Sequence, residues 1–373
     1  VSDKAEVIVY GASGYTGKLI AEFLGRKGIR FIAAGRSRDR LEAEMATVPG
    51  LKSGDYEIRA VDHQVEALRG AFQGGAVVIN VVGPFMQLGA PVVQAALAEG
   101  CHYIDTTGEQ DWVLYLREHY DAAFKGKGLL LCPANSYMWA AGQLVIETLL
   151  ETQGIDSFDV VYAPNGAPTI ASTLSFLRMC TKPQYILANG ALETWPEAAT
   201  IQVGVPHTHE ILRGLPWGGG CEPIWYERDA RVRNVRVCVA FPNTPLVGWV
   251  MSKIDEFARL KPGLSSQEAE ELTNSWGREV AQTPPREIED VNRYVTSCRA
   301  RGRLIGRNLA FYGTAPYLQT GLLGASAAQT LLESKQRQTG FASPVAAFGH
   351  HELIAELNSA GLLCSLEEAV SWP

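Results

Sequence analysis

Over roughly the first 150 residues, short apolar runs alternate with stretches whose apolar residues recur at helical spacing. Residues 6–10 (EVIVY), 30–34, 56–60, 76–82, 102–105 and 128–132 read as strands. Helical stretches at 16–24, 39–45, 65–72, 91–99, 111–124 and 138–151 separate or follow them. Such alternation predicts βαβ units on a parallel sheet covered on both faces. From residue 158 the rhythm changes. Residues 158–163, 230–241 and 295–311 run like strands with no helix regularly between neighbours, while 170–179, 246–260, 266–281 and 325–336 have helical spacing. Segregated strands and helices predict an α+β arrangement on a mixed or antiparallel sheet.

The connection between the first strand and the first helix carries the most specific signal. It reads Gly11-Ala12-Ser13-Gly14-Tyr15-Thr16-Gly17, a G-x-x-G-x-x-G pattern. The first two glycines let the backbone turn and approach a pyrophosphate, and the third lets helix and strand pack closely. The helix N-terminus adds N–H groups and positive dipole for the phosphates. Gly11, Ser13, Gly14, Tyr15, Thr16 and Gly17 are therefore candidate cofactor residues. The fold class expected is α/β, with an N-terminal Rossmann dinucleotide-binding domain and a second α+β domain on a mixed sheet.

The end of the second strand selects among cofactors. An NAD-specific domain places an acid there for the ribose 2′-hydroxyl, whereas this chain has Arg36, Ser37 and Arg38. Two guanidiniums and a hydroxyl suit a 2′-phosphate, so the expected cofactor is NADP. Three later loops fall where strand ends line such a crevice. Asp62 is placed to bond adenine or to cap the next helix. Val82, Gly83 and Pro84 bring backbone toward a ligand. Thr106 and Thr107, in the run 105–109, either face the nicotinamide ribose or cap the following helix.

Composition narrows the classes. At 373 residues, two domains are expected. A formal charge of −7 and the absence of a Lys/Arg-rich run give no footprint for nucleic acid or an anionic membrane. The seven cysteines include no CxxC pair, which argues against zinc, redox and disulfide frameworks. His207 and His209 have no third ligand nearby, so no metal is expected. With no apolar window of about 18 residues and no signal-peptide pattern, a soluble cytoplasmic protein is the expectation.

The stretches GASGYTG, GRSRDRLE, NVVGPF and the run from Cys101 to Glu109 together resemble the saccharopine dehydrogenase-like NADP-dependent oxidoreductases. The branch they resemble includes trans-acting enoyl reductases. The segment from Tyr312 to Tyr317 and that from Gly340 to Gly349 are similar to the closing pattern of the same family. The resemblance implies NADPH, hydride transfer, and an inserted second domain before a C-terminal segment that packs back on the first. The domains expected are 1–135 for NADP, 136–315 for substrate and dimerisation, and 316–373 for the returning segment. One departure is the turn Pro133-Ala134-Asn135-Ser136-Tyr137, where relatives carry a glycine-aromatic-acid turn.

Together these readings predict an enzyme, an NADPH-dependent reductase of a polarised C=C or C=N bond in a fairly apolar small molecule. Tyr137, Tyr226 and His102 are the candidate proton donors. Gly83, Pro84, Phe85, Asn135 and Tyr137 are expected to border the cleft, with Trp217 to Tyr226 as an aromatic lid or, alternatively, as core. Six of the eight tryptophans lie beyond residue 190. Arg231, Arg233, Arg299, Arg301 and Arg303 read as a solvated sheet face or as a carboxylate-binding cluster. A saccharopine-type imino-acid dehydrogenase and a non-catalytic NADP-sensing protein are the alternatives. The expected partners are a small-molecule substrate and a second copy in a homodimer.

Overall fold

The computed structural model describes residues 6–195, 200–206, 210–216, 218–242, 244–280 and 283–371. The chain divides into two compact units. The first opens with β1 (Val7–Tyr10), α1 (Tyr15–Arg26), β2 (Phe31–Gly35), α2 (Arg38–Met45), β3 (Tyr56–Ala60) and α3 (Val65–Phe72). It continues through β4 (Val77–Asn80), α4 (Phe85–Glu99), β5 (His102–Asp105), α5 (Gln110–Gly126) and β6 (Leu130–Cys132), and α6 (Tyr137–Leu150) leads out of it. The second unit holds β7 (Ile155–Pro164), α7 (Ile170–Met179), β8 (Tyr185–Ala188), β9 (Ala191–Thr194), β10 (Ile201–Gly204) and β11 (Ile211–Leu215). After these come α8 (Glu222–Tyr226), β12 (Asn234–Ala240), α9 (Pro245–Leu260), α10 (Ser266–Glu279), β13 (Arg293–Gly302) and β14 (Gly306–Thr314). The chain closes with α11 (Pro316–Leu332), β15 (Gly340–Phe341), α12 (Pro344–Phe348), α13 (His350–Ser359) and β16 (Leu363–Ser371). Of this closing segment, Tyr317–Leu357 belongs to the first unit and the rest to the second, as does the tetrapeptide Gly108–Asp111.

The first sheet is parallel, in the order β15-β6-β5-β4-β1-β2-β3. That is the Rossmann order, extended by one short strand. β1 (VIVY) is buried along its whole length, as a strand covered on both faces must be. On one side of the sheet Ile8, Tyr10, Val78, Tyr103, Trp112 and Leu116 join one apolar core. Because Tyr10 pairs with both Ala34 and Asn80, and Asn80 with Asp105, the strands end level with one another. Their C-terminal ends therefore present the loops after Tyr10, Gly35, Ala60, Asn80, Asp105 and Cys132 along one edge.

The second sheet runs β10-β11-β12-β7-β13-β14-β16, with β8 and β9 set off beside β12. β12 and β7 are parallel and the other pairings antiparallel, a mixed sheet. The run 295–311 is a hairpin rather than one strand, folded back between Gly302 and Gly306. Leu304 at its tip is exposed. α11 starts at Pro316 rather than near 325. Its Gly321 and Gly324 let it close onto Leu19 and Ile20 of α1, a contact invisible in helical periodicity. Arg301 and Arg236 pair with Asp159 across the second sheet, and Arg231 pairs with Asp229 and Glu147.

Candidate functional site

The loop after β1 has the geometry a pyrophosphate needs. Gly11 takes φ +93, a conformation that L side chains rarely adopt. A Cβ on Gly17 would lie 2.4 Å from the Gly11 carbonyl oxygen and 2.7 Å from Ala12 Cα, so only glycine lets α1 pack there. Gly14 differs. A Cβ there meets only the Gly11 oxygen, at 3.2 Å, and otherwise points into open space. Gly14 is the N-cap of α1, with no side-chain cap and no acid in the first turn. Ser13, Tyr15 and Thr16 are half-buried around it, and the Tyr15 ring meets Tyr317 edge-on. An uncapped, acid-free helix start with a vacant Cβ position is a fitting seat for phosphate.

Beyond β2, Arg36, Ser37 and Arg38 are all exposed. Ser37 caps α2, its Oγ accepting from the Arg40 amide at 3.3 Å. Arg38 makes a 3.4 Å ion pair with Glu42. Arg36 has no ion-pair or hydrogen-bond partner among the described residues, which leaves its guanidinium to an incoming anion. Asp62 is also exposed. It does not cap α3, whose N-cap is Gln64 without a side-chain bond.

A residue that sequence reasoning passed over stands next to Asp62. His63 Nδ1 and the Tyr10 hydroxyl share a 2.8 Å hydrogen bond, with the two rings nearly parallel. Burial holds the His63 pKa below the ordinary imidazole range. The Leu88 backbone partly offsets this, and the Arg36 charge reinforces it. The Tyr10–His63 pair thus backs the Arg36 corner.

The middle of the edge is built on Asp105. This buried carboxylate accepts from the Thr107 amide at 3.0 Å, the Ala134 amide at 2.9 Å and Trp112 Nε1 at 2.8 Å. Burial raises its pKa to about 6, against the pull of those donors. Thr107 is therefore part of a buried turn, while Thr106 is half-buried. Val82 lies over Gly11, where a Cβ would come within 2.7 Å of Val82 Cγ2, and its amide donates to Asn80 Oδ1 at 3.0 Å. Gly83 is half-buried, and the buried Pro84 is the N-cap of α4.

The turn after β6 and helix α11 each contribute one buried side-chain amide. Asn135 Nδ2 donates to the Leu323 carbonyl at 3.1 Å, while its Oδ1 has no partner among the described residues. Gln319, one helical turn before Leu323 on α11, is fully buried with neither amide atom partnered among them. An unpaired buried amide is costly, so these atoms are suited to a polar ligand such as a carboxamide. The chemistry of these residues fits NADP: helix-start amides suit phosphates, guanidiniums suit a 2′-phosphate, and an unpartnered buried amide oxygen suits a carboxamide.

The three candidate proton donors part company. Tyr137 is buried beside Asn135, and its amide donates to Thr320 Oγ1 at 3.0 Å. His102 opens β5 at the opposite edge of the sheet from Gly11, and its Nδ1 accepts from the Leu130 amide at 2.8 Å. The structure does not bring His102 to the strand C-termini. Tyr226 is buried in the second unit, where its hydroxyl donates to Glu147 Oε1 at 2.9 Å. Of the other middle aromatics, Trp195 and Trp276 are buried, and Trp276 meets the Phe257 ring edge-on. Trp217, Trp372, His207 and His209 lie outside the described residues.

The second unit holds a buried acid of its own. Glu222 Oε1 accepts from the Tyr162 hydroxyl at 2.7 Å, and the Gly142 amide donates to that hydroxyl at 2.6 Å. Glu222 Oε2 has no partner among the described residues. Burial raises the carboxyl to about 8, so it holds its proton at neutral pH. In the same unit, buried Arg178 grips Glu109 at 2.7 Å and Asp111 at 2.6 Å, so the Glu109 carboxylate is committed to a buried ion pair. Neither Glu222 nor the partner of Glu109 has a local sequence signal, because each is defined by contacts distant in sequence.

Comparison with known proteins divides the chain similarly. Residues 7–125 match the saccharopine dehydrogenase NADP binding domain, and residues 140–368 match a family of unknown function, DUF5938. A lipid droplet localized protein of Caenorhabditis elegans is 31% identical over 137 residues, 35% of this chain and 32% of that protein. A trans-acting enoyl reductase of Mycobacterium tuberculosis (strain H37Rv) is 33% identical over 123 residues, 32% of this chain and 28% of that protein. The chain thus spans about a third of the length of these curated relatives. Apo saccharopine dehydrogenase (L-Glu forming) of Saccharomyces cerevisiae has a similar fold, with a TM-score of 0.62 over 99% of this chain and all of that one, at 12% identity. No described helix is long and apolar enough to cross a membrane.

Proposed function

The chain belongs to the DUF5938 family, and we propose that it works as an NADPH-dependent reductase of a polarised double bond in a fairly apolar small molecule. Its first unit is a saccharopine dehydrogenase-like NADP-binding fold homologous to the mycobacterial trans-acting enoyl reductases. The observation that carries the proposal is the pairing of an uncapped α1 start, vacant above Gly14, with an Arg36 that has no partner among the described residues, where an acid would select NAD.

NADPH, when bound, supplies the hydride. The chain's own residues bind and orient. The α1 amides and dipole hold the pyrophosphate, and Arg36 and Arg38 hold the 2′-phosphate. Asn135 Oδ1 would accept from the carboxamide of the bound nucleotide. Tyr137, on the same turn, is the proposed proton donor. An enoyl C=C is favoured over a C=N bond by the activity named for the mycobacterial relatives. The name of the nematode relative is in keeping with an apolar substrate.

The test is NADPH oxidation by the purified chain with a panel of enoyl thioesters, cyclic imines and saccharopine. Turnover with enoyl thioesters is expected, and it should fall at least about tenfold in Tyr137→Phe. NADPH binding without oxidation by any member of the panel contradicts the proposal and favours a sensing role.

A further inference from the structure

A cavity of about 220 Å³ lies within the second unit, between β11 and the first turns of α9. Its walls are apolar: Pro168, Leu215, Phe241, Val247, Val250 and Met251. Arg213 stands at its edge, the single charged lining residue among the described residues. The alternation of β11 explains the arrangement. Gly214 faces Val203 and Cys238, within contact of a built Cβ, and Leu212 shares that side in the neighbouring core. Ile211, Arg213 and Leu215 therefore point to the other face. Ile211 continues the apolar strip outward and is 69% exposed.

Gly248 is the informative residue. It sits inside α9 and lines the cavity. Glycine is the least favourable residue for a helix interior apart from proline. Neither backbone nor packing demands it here. Its φ is not left-handed, and a Cβ built on it meets nothing within 4 Å. Gly248 is exposed and stands at the cavity's mouth, so the glycine leaves the opening clear and a larger side chain there would project across it. An apolar cavity of about 150 Å³ already takes benzene, so this one has room for a longer hydrocarbon.

Arg213 sets the polarity of the guest. Its one ion pair among the described residues, with Asp255, is 3.9 Å long, and both side chains are about half exposed or more. It makes no hydrogen bond among the described residues. A long, exposed pair of this kind holds its partners weakly, and a guanidinium fork prefers a carboxylate. We propose that this cavity is a binding site for a medium-chain carboxylate, its hydrocarbon chain against Gly248 and Met251 and its carboxylate on Arg213. The site lies wholly in the second unit and goes beyond the reductase reading, on which it does not depend.

The test is calorimetric titration of the full chain with decanoate and with decanol, without nucleotide. One decanoate per chain is expected. Gly248→Leu should weaken it at least about tenfold while leaving NADPH binding and the melting temperature intact. Arg213→Gln should weaken decanoate about tenfold and leave decanol unchanged. Met251→Trp narrows the same space from the next turn and serves if Gly248→Leu folds poorly. The proposal is overturned if the unmodified chain takes up no decanoate, if both cavity-filling variants bind it normally, or if Arg213→Gln affects acid and alcohol alike.

Discussion

The Ala134 amide donates to Asp105 Oδ1 at 2.9 Å, and that bond holds an alanine at φ +56 in a fully buried turn. The left-handed region costs an L-residue about 1–2 kcal/mol. The same carboxylate holds Thr107 and Trp112, so one side chain joins the ends of β5 and β6 and shapes the turn that carries Asn135. Asp105→Ala leaves three buried donors without this acceptor, each costing about 1–3 kcal/mol. Urea unfolding should show a loss of at least about 3 kcal/mol, with Asp105→Asn intermediate. A loss below about 1 kcal/mol in the alanine variant contradicts the role given to Asp105.

Glu222 makes stability depend on pH in a defined direction. Its carboxyl rises from 4.5 to about 8 on folding, so the native state holds the proton more tightly. The stability this contributes is full below about pH 4.5 and is lost as pH rises through about 8. Glu222→Gln removes the titration. Its urea midpoint should gain on the unmodified chain between about pH 5.5 and about pH 8.5. Parallel midpoints across that range contradict a proton-holding Glu222.

Two glycines of one loop should behave oppositely. Gly14→Val places its side chain in the open space above α1, so the variant should fold with a near-normal melting temperature and lose NADPH binding. Gly17→Val drives a Cβ to 2.4 Å from the Gly11 oxygen and should destabilise the first unit outright. Circular dichroism melts and nucleotide fluorescence titration separate the two. Normal NADPH binding by Gly14→Val means that Gly14 does not face the phosphates.

What the sequence made legible followed from local signals. The strand–glycine–helix pattern at Gly11, Gly14 and Gly17 announced the parallel sheet because a Rossmann turn is built within seven consecutive residues. The missing acid at 36–38 was equally local. Contacts between distant segments were hidden. Nothing near Asn135 predicts Leu323 as its partner, and nothing near Glu109 predicts Arg178. His102 looked like a proton donor by type, but its place at the start of β5 rather than its end is a matter of register. Tyr226 likewise acquired a structural partner in Glu147 from another helix. The buried acid Glu222 follows a glycine run that reads as a flexible loop, and only tertiary packing turns it into a core carboxyl.

The central claim is that the crevice edge recognises a 2′-phosphorylated dinucleotide through Arg36. The direct measurement is the pair of dissociation constants for NADPH and NADH, in the unmodified chain and in Arg36→Ala, at one ionic strength. The account predicts NADPH bound at least about tenfold tighter, about 1.4 kcal/mol, with most of that gap erased by Arg36→Ala. Equal constants for the two nucleotides in the unmodified chain, or a gap untouched by Arg36→Ala, contradict it.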